Sequence, residues 1–184
     1  LVVAGGGTHI DELMMDGFER AGRDFDFEPI VLSGPFSNLG DELDALADSG
    51  TDLVLFTDTV FLDSVLAAAL GHPGIAWAFV DIPVEGGPFV TFAEHEGSYL
   101  AGAAAALTSA TGTIGFVGGF QYEATERFRA GFEAGARAVA PDVTIVETYL
   151  ALDSSGFMRS DLAREAAGRM YRQGADVVLH AAGA

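Results

Sequence analysis

The sequence predicts an α/β fold in which two parallel sheets are flanked by helices. Eight short apolar runs are rich in Val, Ile and Phe, and most end in Gly or a polar residue. Their hydrophobicity is continuous rather than alternating, which is typical of parallel strands buried on both faces. Helical patterns lie between most of the runs, and strands that alternate with helices form parallel sheets with right-handed crossovers.

Five of the predicted strands lie in the first half of the chain. They cover residues 1–5, 29–33, 52–56, 75–81 and 88–92. A helical pattern over residues 10–25 follows the first strand, with an apolar stripe that includes Leu13, Met14 and Phe18. Residues 81–88 are predicted to form a loop.

The second half of the chain opens with a predicted helix. The stretch EHEGSYLAG, residues 94–102, places acids before a run of small residues. Glu96 is predicted to begin this helix, because acidic side chains offset the positive end of the helix dipole. Gly97 and Gly102 make the helix thin, so it is predicted to pack closely on a neighbour.

Three further strands follow this helix. They are predicted over residues 113–117, 143–148 and 176–180. A helical pattern over 126–139 follows the first of them, and another helix ends at Gly174, before the last strand. The break near residue 93 predicts two lobes, one formed by residues 1–92 and the other by residues 93–184.

The charge balance excludes several classes of function. The formal net charge is −18, with 27 acidic residues against nine basic ones, all of them Arg. Such a surface repels phosphate backbones, so no direct binding of nucleic acid is expected. The absence of Lys and Cys excludes a P-loop lysine, a Schiff-base lysine and a thiolate nucleophile.

Motifs for a cofactor, a metal or catalysis are missing. The GGG stretch at residues 5–7 fails the dinucleotide pattern G-x-G-x-x-G because Ile10 stands at the third glycine. The four histidines show no i, i+4 pairing, and no G-x-S-x-G motif occurs. We therefore expect a binding protein that is not an enzyme and has neither cofactor nor metal.

A ligand site is predicted where the strands end. In parallel sheets, ligands bind beyond the carboxyl ends of the strands. The residues chosen on this ground offer carboxylates, a hydroxyl, an imidazole, an aromatic ring and a glycine. They are Asp11, Thr57, Asp58, Asp81, Phe120, His180 and Gly183.

Four separated motifs resemble the basic membrane protein family, the substrate-binding lipoproteins of ABC transporters that include purine-nucleoside receptors. They are EGSYLAG, GTIGFVGG, FRAGFEAGARAVAPDV and YRQGADVVLHAAG, in that order. The resemblance implies a type I periplasmic-binding fold whose two lobes clamp a small polar ligand, with a nucleoside as the first expectation, for a transporter permease. It also implies an extracytoplasmic, membrane-anchored lipoprotein, and a second lobe that is incomplete in this chain.

The chain departs from the family pattern after its first strand. Where the family usually has Ser-Phe-Asn, this chain has His9, Ile10 and Asp11. Ile10 thus stands where an aromatic residue would stack on a base, and Phe120 or Tyr122 could supply that stacking instead. Asp58 and Asp81 match strand ends that could accept hydrogen bonds from ribose hydroxyls.

A second function remains open at this point. The same fold serves as the ligand-sensing domain of transcriptional or signalling regulators, in which case the protein would be cytoplasmic. The gene's flanking sequence distinguishes the two, since a lipobox cysteine upstream favours a transport receptor and a helix-turn-helix favours a regulator.

Overall fold

The computed structural model describes residues 2–5, 9–33, 39–57 and 62–183, with backbone only at 2–5, 9–12 and 33. The chain divides into two compact units, residues 1–92 and 93–184, named here the N-terminal unit and the C-terminal unit. None of the described helices is long and apolar enough to cross a membrane.

The N-terminal unit is built on a five-stranded parallel sheet with the strand order β2-β1-β3-β4-β5. Its elements are β1 (Val2–Gly5), α1 (His9–Phe25), β2 (Ile30–Ser33), α2 (Leu39–Asp48), β3 (Leu53–Phe56), α3 (Leu62–Gly71), β4 (Ala76–Val80) and β5 (Phe89–Val90). The five strands predicted from the apolar runs are therefore confirmed.

The core of the N-terminal unit lies where β3 and β4 meet α2 and α3. Phe56 and Phe79 are buried side by side, with ring centroids 6.4 Å apart in an edge-to-face arrangement. Val65 of α3 and Leu43 of α2 are buried against the same cluster. These apolar contacts pack α2 and α3 onto β3 and β4.

The C-terminal unit contains a three-stranded parallel sheet with the order β7-β6-β8. Its elements are α4 (Glu94–Thr108), β6 (Thr113–Gly118), α5 (Glu123–Val139), β7 (Thr144–Tyr149), a 3₁₀ helix (Ser154–Met158), α6 (Ser160–Arg172) and β8 (Val177–Ala181). The three predicted strands are confirmed here as well.

The central strand β6 is covered on both faces, as its unbroken apolar run predicts. Ile114 and Phe116 face a cluster that contains Phe132 of α5, while Val117 faces a second cluster that contains Met170 of α6. Side chains of one strand alternate between faces, so helices pack on each side of this sheet.

Helices α4 and α5 approach so closely that only glycine fits at their crossing. A Cβ atom on Gly102 would lie 2.0 Å from the carbonyl oxygen of Phe132, and one on Gly135 would lie 1.8 Å from that of Tyr99. The buried Ser98 hydroxyl also donates to the carbonyl oxygen of Phe128 at 2.5 Å. The close packing predicted for Gly102 is confirmed.

Three details of the helix predictions are wrong. α4 begins at Glu94, because the Glu96 N–H already donates to the Ala93 carbonyl within the first turn. A Cβ atom on Gly97 would meet no described atom of a neighbouring element within 4 Å, so Gly97 does not contribute to the packing. Leu13 is 63% exposed, since it lies about 100° around α1 from the half-buried Met14.

Candidate functional site

The carboxyl ends of β1, β3 and β4 lie at one edge of the N-terminal sheet. The parallel register pairs Ala4 with Phe56 and Phe56 with Phe79, so the three strands end at nearly the same level. Thr57 follows β3 directly and Asp81 follows β4, and both residues are half-buried. Two of the predicted site residues therefore stand at the edge where ligands bind in parallel α/β sheets.

Asp81 holds an unusual backbone conformation at this edge. Its φ is +59°, in the left-handed region that Asp enters more readily than branched residues. Its N–H donates to the carbonyl oxygen of Val90 at 2.6 Å, which ties the residue to the short strand β5. The turn after β4 is therefore fixed by a backbone hydrogen bond.

The remaining predicted residues of the N-terminal unit are only partly described. Ile10 and Asp11 lie in the first turn of α1, where the structure describes the backbone alone. Asp58 lies outside the described residues. Their roles stay predictions.

At the carboxyl edge of the C-terminal sheet, the strand pairing continues beyond β6. Gly118 pairs with Tyr149 of β7 and with Ala181 of β8. The Gly119 N–H then donates to the Ala181 carbonyl at 3.0 Å, and the Ala151 N–H donates to the Gly119 carbonyl at 3.0 Å. The backbone at this edge is thus held on both sides of β6.

Three aromatic rings cluster at this edge and are named here the aromatic trio. Phe120 and Tyr122 stack with centroids 4.5 Å apart and planes 6° from parallel. Phe157, from the 3₁₀ helix, stands nearly perpendicular to both, at 5.4 Å from Phe120 and 5.9 Å from Tyr122. All three rings are only partly buried, so the trio forms an aromatic surface at the end of the sheet.

Glycines allow the Phe157 ring to pack closely against the end of the sheet. A Cβ atom on Gly119 would lie 2.5 Å from the Phe157 ring, and one on Gly156 would lie 2.0 Å from the Gly119 carbonyl oxygen. Gly183, with φ of +80°, has the Phe157 carbonyl oxygen 2.6 Å from its Cβ position. Gly183 therefore supports the trio by close approach of the backbone, although no ligand contact follows from this.

The 3₁₀ helix that carries Phe157 is capped at its start. The Asp153 carboxylate accepts a hydrogen bond from the Ser155 N–H at 3.0 Å. Hydrogen bonds from the Ser155 hydroxyl and N–H lower the pKa of Asp153. Just after the helix, the Arg159 guanidinium pairs with Asp161 at 2.8 Å.

The structure brings some predicted residues of this unit together and leaves one apart. Phe120 and Gly183 both meet Phe157. His180 pairs with Val117 in the sheet, and its side chain is exposed. No described group of three or more His, Cys, Asp or Glu residues could hold a metal ion.

Phe157 is a residue of this cluster that the sequence patterns do not point to. It lies in a 3₁₀ helix between β7 and α6, far along the chain from Phe120. The only signal in the sequence is the turn DSSG, in which Asp153 caps Ser155 and Gly156 permits close approach.

A partly buried hydrogen bond stands beside the aromatic edge. The Tyr149 hydroxyl donates to Glu126 of α5, whose other oxygen accepts from Arg129 Nε at 3.0 Å. The Tyr149 bond, followed by Arg129, lowers the pKa of Glu126 below its usual value of 4.5. Burial and the same bond raise the pKa of the Tyr149 phenol.

We expect Tyr149→Phe to weaken the fold in a pH-dependent way. Because the folded-state pKa of Glu126 lies below 4.5, its carboxylate stabilises the fold above that pH, and the contribution is lost as the pH falls through the folded-state value. The variant should lose about 1 kcal/mol of unfolding free energy at pH 7 and less at pH 3.

Urea unfolding across this pH range measures the effect, with Tyr171→Phe as the control because Tyr171 is 55% exposed. A deficit of Tyr149→Phe that stays constant between pH 7 and pH 3 would contradict the assignment of the Glu126 pKa.

Comparison with protein families gives a direct match. The family model described as ABC transporter substrate-binding protein PnrA-like matches residues 8–184. Basic membrane protein A1 of Borrelia garinii subsp. bavariensis is 31% identical over 179 residues, which are 94% of this chain and 52% of that protein. The chain thus spans about half the length of the curated relatives it matches.

Solved structures show the same fold at lower identity. A solute-binding protein of an ABC transporter system from Aeropyrum pernix K1 superposes with a TM-score of 0.75 at 23% identity, over 99% of this chain and 54% of that one. A transcriptional activator of the comK gene from Bacillus halodurans also gives a TM-score of 0.75, at 17% identity, over 96% of this chain and 61% of that one.

The predicted periplasmic-binding α/β fold is confirmed by these neighbours and by the parallel sheets of both units. The family match covers nearly all of the chain, and it agrees with the four motifs found in residues 96–183. The chain therefore belongs to the Bmp family, the PnrA-like substrate-binding proteins of ABC transporters.

Proposed function

We propose that the chain is the ligand-binding part of a solute receptor that delivers a small polar molecule to an ABC transporter and leaves it chemically unchanged. The aromatic trio at the carboxyl edge of the C-terminal sheet is the observation that carries this proposal. In a family of substrate-binding proteins, partly exposed rings at the ligand-binding edge of a parallel sheet favour recognition of a planar group.

A nucleoside fits the chemistry that each of the two sheet edges offers. Phe120 offers an aromatic surface for a base, and Thr57 and Asp81 are polar residues at the carboxyl edge of the N-terminal sheet. We propose Asp11 and Asp58 as further hydroxyl contacts, Ile10 as an apolar contact, and His180 as a polar contact. Asp58 and His180 are assigned from their place near a strand end in the sequence, Asp11 from its place after the first strand, and Ile10 from its register in the family resemblance.

Charge argues against phosphorylated ligands. The chain carries no Lys and has a formal net charge of −18. Arg159, which follows the 3₁₀ helix, is paired with Asp161. A phosphate brought to such an acidic chain would be repelled by like charge, and this repulsion grows as the groups lose their water.

The proposed partner is the permease of an ABC transporter, and the proposed location is outside the cytoplasm with a lipid anchor. Membership in a family of ABC transporter substrate-binding proteins supports the permease as partner and a location outside the cytoplasm. The lipid anchor is proposed from the resemblance to lipoproteins alone. A sensor domain of a regulator is the second candidate, because a transcriptional activator shares the fold. At 17% identity this likeness concerns the fold alone. We therefore favour the function of a transport receptor.

Isothermal calorimetry on the full-length gene product tests the ligand class. Adenosine or guanosine should bind, and the matching monophosphates should bind at least about tenfold more weakly, which corresponds to about 1.4 kcal/mol. Monophosphates that bind as tightly as the nucleosides would contradict the electrostatic argument. An absence of heat with every nucleoside would remove the nucleoside proposal.

A further inference from the structure

An apolar ridge lies on the exposed face of α4. Leu100, Ala104 and Leu107 recur on this helix at helical spacing, so their side chains lie within about 60° of one another around its axis. Leu100 is 70% exposed, Leu107 is 72% exposed, and Ala104 is exposed as well. These three residues, named here the α4 ridge, therefore present a continuous apolar strip to solvent.

A groove runs beside the α4 ridge, between α4 and α5. It has a volume of about 720 Å³. Small side chains form its α5 wall, where Ala130 and Ala134 are both exposed, and Tyr99 lines it from α4. The charged lining residues, Glu96 and Arg127, stand near the starts of the two helices, so the remaining wall is largely apolar.

The ridge is uncharged in a chain that is strongly acidic. The formal net charge is −18, yet no Asp, Glu, Arg or Lys occurs between residues 97 and 122. Two copies of so acidic a chain repel each other, and this repulsion is weakest where an uncharged surface meets an uncharged surface. Like-charge repulsion therefore disfavours contact between two copies at acidic surfaces far more than at the α4 ridge.

From this arrangement we infer that the α4 ridge and its groove form a contact between two copies of the protein. A two-fold axis brings the same surface of both copies together, so the ridge of each copy meets the groove of the other. Leu100 and Leu107 stand seven residues apart, the repeat at which side chains of one helix enter holes between side chains of another. Because the ridge and the groove lie side by side on one face, they complement each other as a second copy requires.

The size of this face predicts a reversible dimer rather than a permanent one. α4 has 15 residues, which gives a length of about 22 Å, and two helices side by side are roughly 20 Å wide. The contact thus covers roughly 450 Å² per copy, or about 900 Å² in total, whereas stable interfaces bury about 1,200–2,000 Å². We expect a dissociation constant on the order of 10–100 µM.

Analytical ultracentrifugation of the full-length protein, without added ligand, tests this contact. The sedimenting mass should rise from that of one chain toward that of two as the concentration increases from about 1 to 300 µM, which brackets the expected dissociation constant. An increase in NaCl from about 0.05 to 0.5 M should strengthen the dimer at least about threefold, because salt screens the repulsion between acidic chains. A dimer that salt weakens would overturn the inference.

Glutamate substitutions on the ridge test which surface forms the dimer. Leu100→Glu and Leu107→Glu should each weaken it by at least about tenfold, because the contact would have to bury a carboxylate. Leu70→Glu is the matched control, since Leu70 lies on α3 and is 86% exposed. A wild type that remains a single chain at every concentration would overturn the inference, and a fall in the melting temperature of Leu100→Glu would then assign the ridge to another segment of the same chain.

Cysteine cross-linking locates the contact even if a glutamate variant folds poorly. Residues 1–184 contain no Cys, so Ala104→Cys places a single thiol in the middle of the ridge. A short bismaleimide should join two Ala104→Cys chains and should leave Leu70→Cys chains largely single. Dimers that form equally from both variants, or from neither, would contradict a contact at the α4 ridge.

Discussion

Gly135→Ala should lower the free energy of unfolding by about 2–3 kcal/mol and the melting temperature by roughly 5–10 °C. The added methyl group would lie 1.8 Å from the Tyr99 carbonyl oxygen, well inside any real contact. Because that oxygen belongs to the backbone of α4, it cannot turn aside as a flexible side chain would. α4 and α5 must therefore separate, and their buried neighbours Phe132 and Ala136 lose contact.

Gly97→Ala is the matched control, and it should change stability in the opposite direction. Gly97 lies in α4 with open space around its Cβ position. Ala is favoured over Gly in helices by about 0.5–1 kcal/mol, so this variant should melt at a slightly higher temperature. Thermal unfolding of both variants measures the contrast, and a Gly135→Ala protein that melts like wild type would refute the close crossing of α4 and α5.

Arg127→Met should lower the free energy of unfolding as much as Gly135→Ala does, for an electrostatic reason. The Glu94 side chain is only 6% exposed, and the Arg127 guanidinium holds it through two hydrogen bonds of 2.7 and 3.2 Å. Removal of one partner of a buried ion pair leaves a desolvated charge and typically costs about 3–5 kcal/mol. Because the Arg127 side chain is itself 21% exposed, we expect the lower end of that range.

Arg137→Met on the same helix provides the control for charge and side-chain length. Arg137 pairs with Glu133 at 3.0 Å, and these side chains are 56% and 37% exposed. An exposed i, i+4 pair contributes about 0.3–0.5 kcal/mol, so this variant should unfold almost as wild type does. Equal denaturation midpoints for Arg127→Met and Arg137→Met would show that the Glu94 pair does not stabilise the start of α4.

The strands and their sheets can be predicted because each strand is marked by its own apolar run. The apolar run of β6 is unbroken since helices cover both of its faces, and runs of this kind identify parallel strands without knowledge of the partners. The start of α4, by contrast, lies two residues before the predicted one. Glu94 is held by Arg127, which lies 33 residues further along the chain. Local helix propensity gives no information about a contact at that distance.

The candidate site is only partly predictable. The rule that ligands bind at carboxyl ends selects Thr57, Asp81 and Phe120, and the structure places all three just beyond strand ends, because strand ends can be recognised from the sequence. Phe157 cannot be selected in that way, since it stands in a short 3₁₀ helix. Its contact with Phe120 depends on how two loops are placed in the tertiary structure. The hydrophobic periodicity of neither loop predicts that placement.

Mass spectrometry of the full-length protein, purified under non-denaturing conditions, tests the central claim most directly. The account predicts one small polar molecule bound per chain, which is released unchanged on denaturation and is depleted when Phe120 is replaced by Ala. A bound molecule that is converted to a product on incubation would contradict a receptor that performs no chemistry. A ligand that is retained at full occupancy in Phe120→Ala would contradict a site at the aromatic edge of the C-terminal sheet.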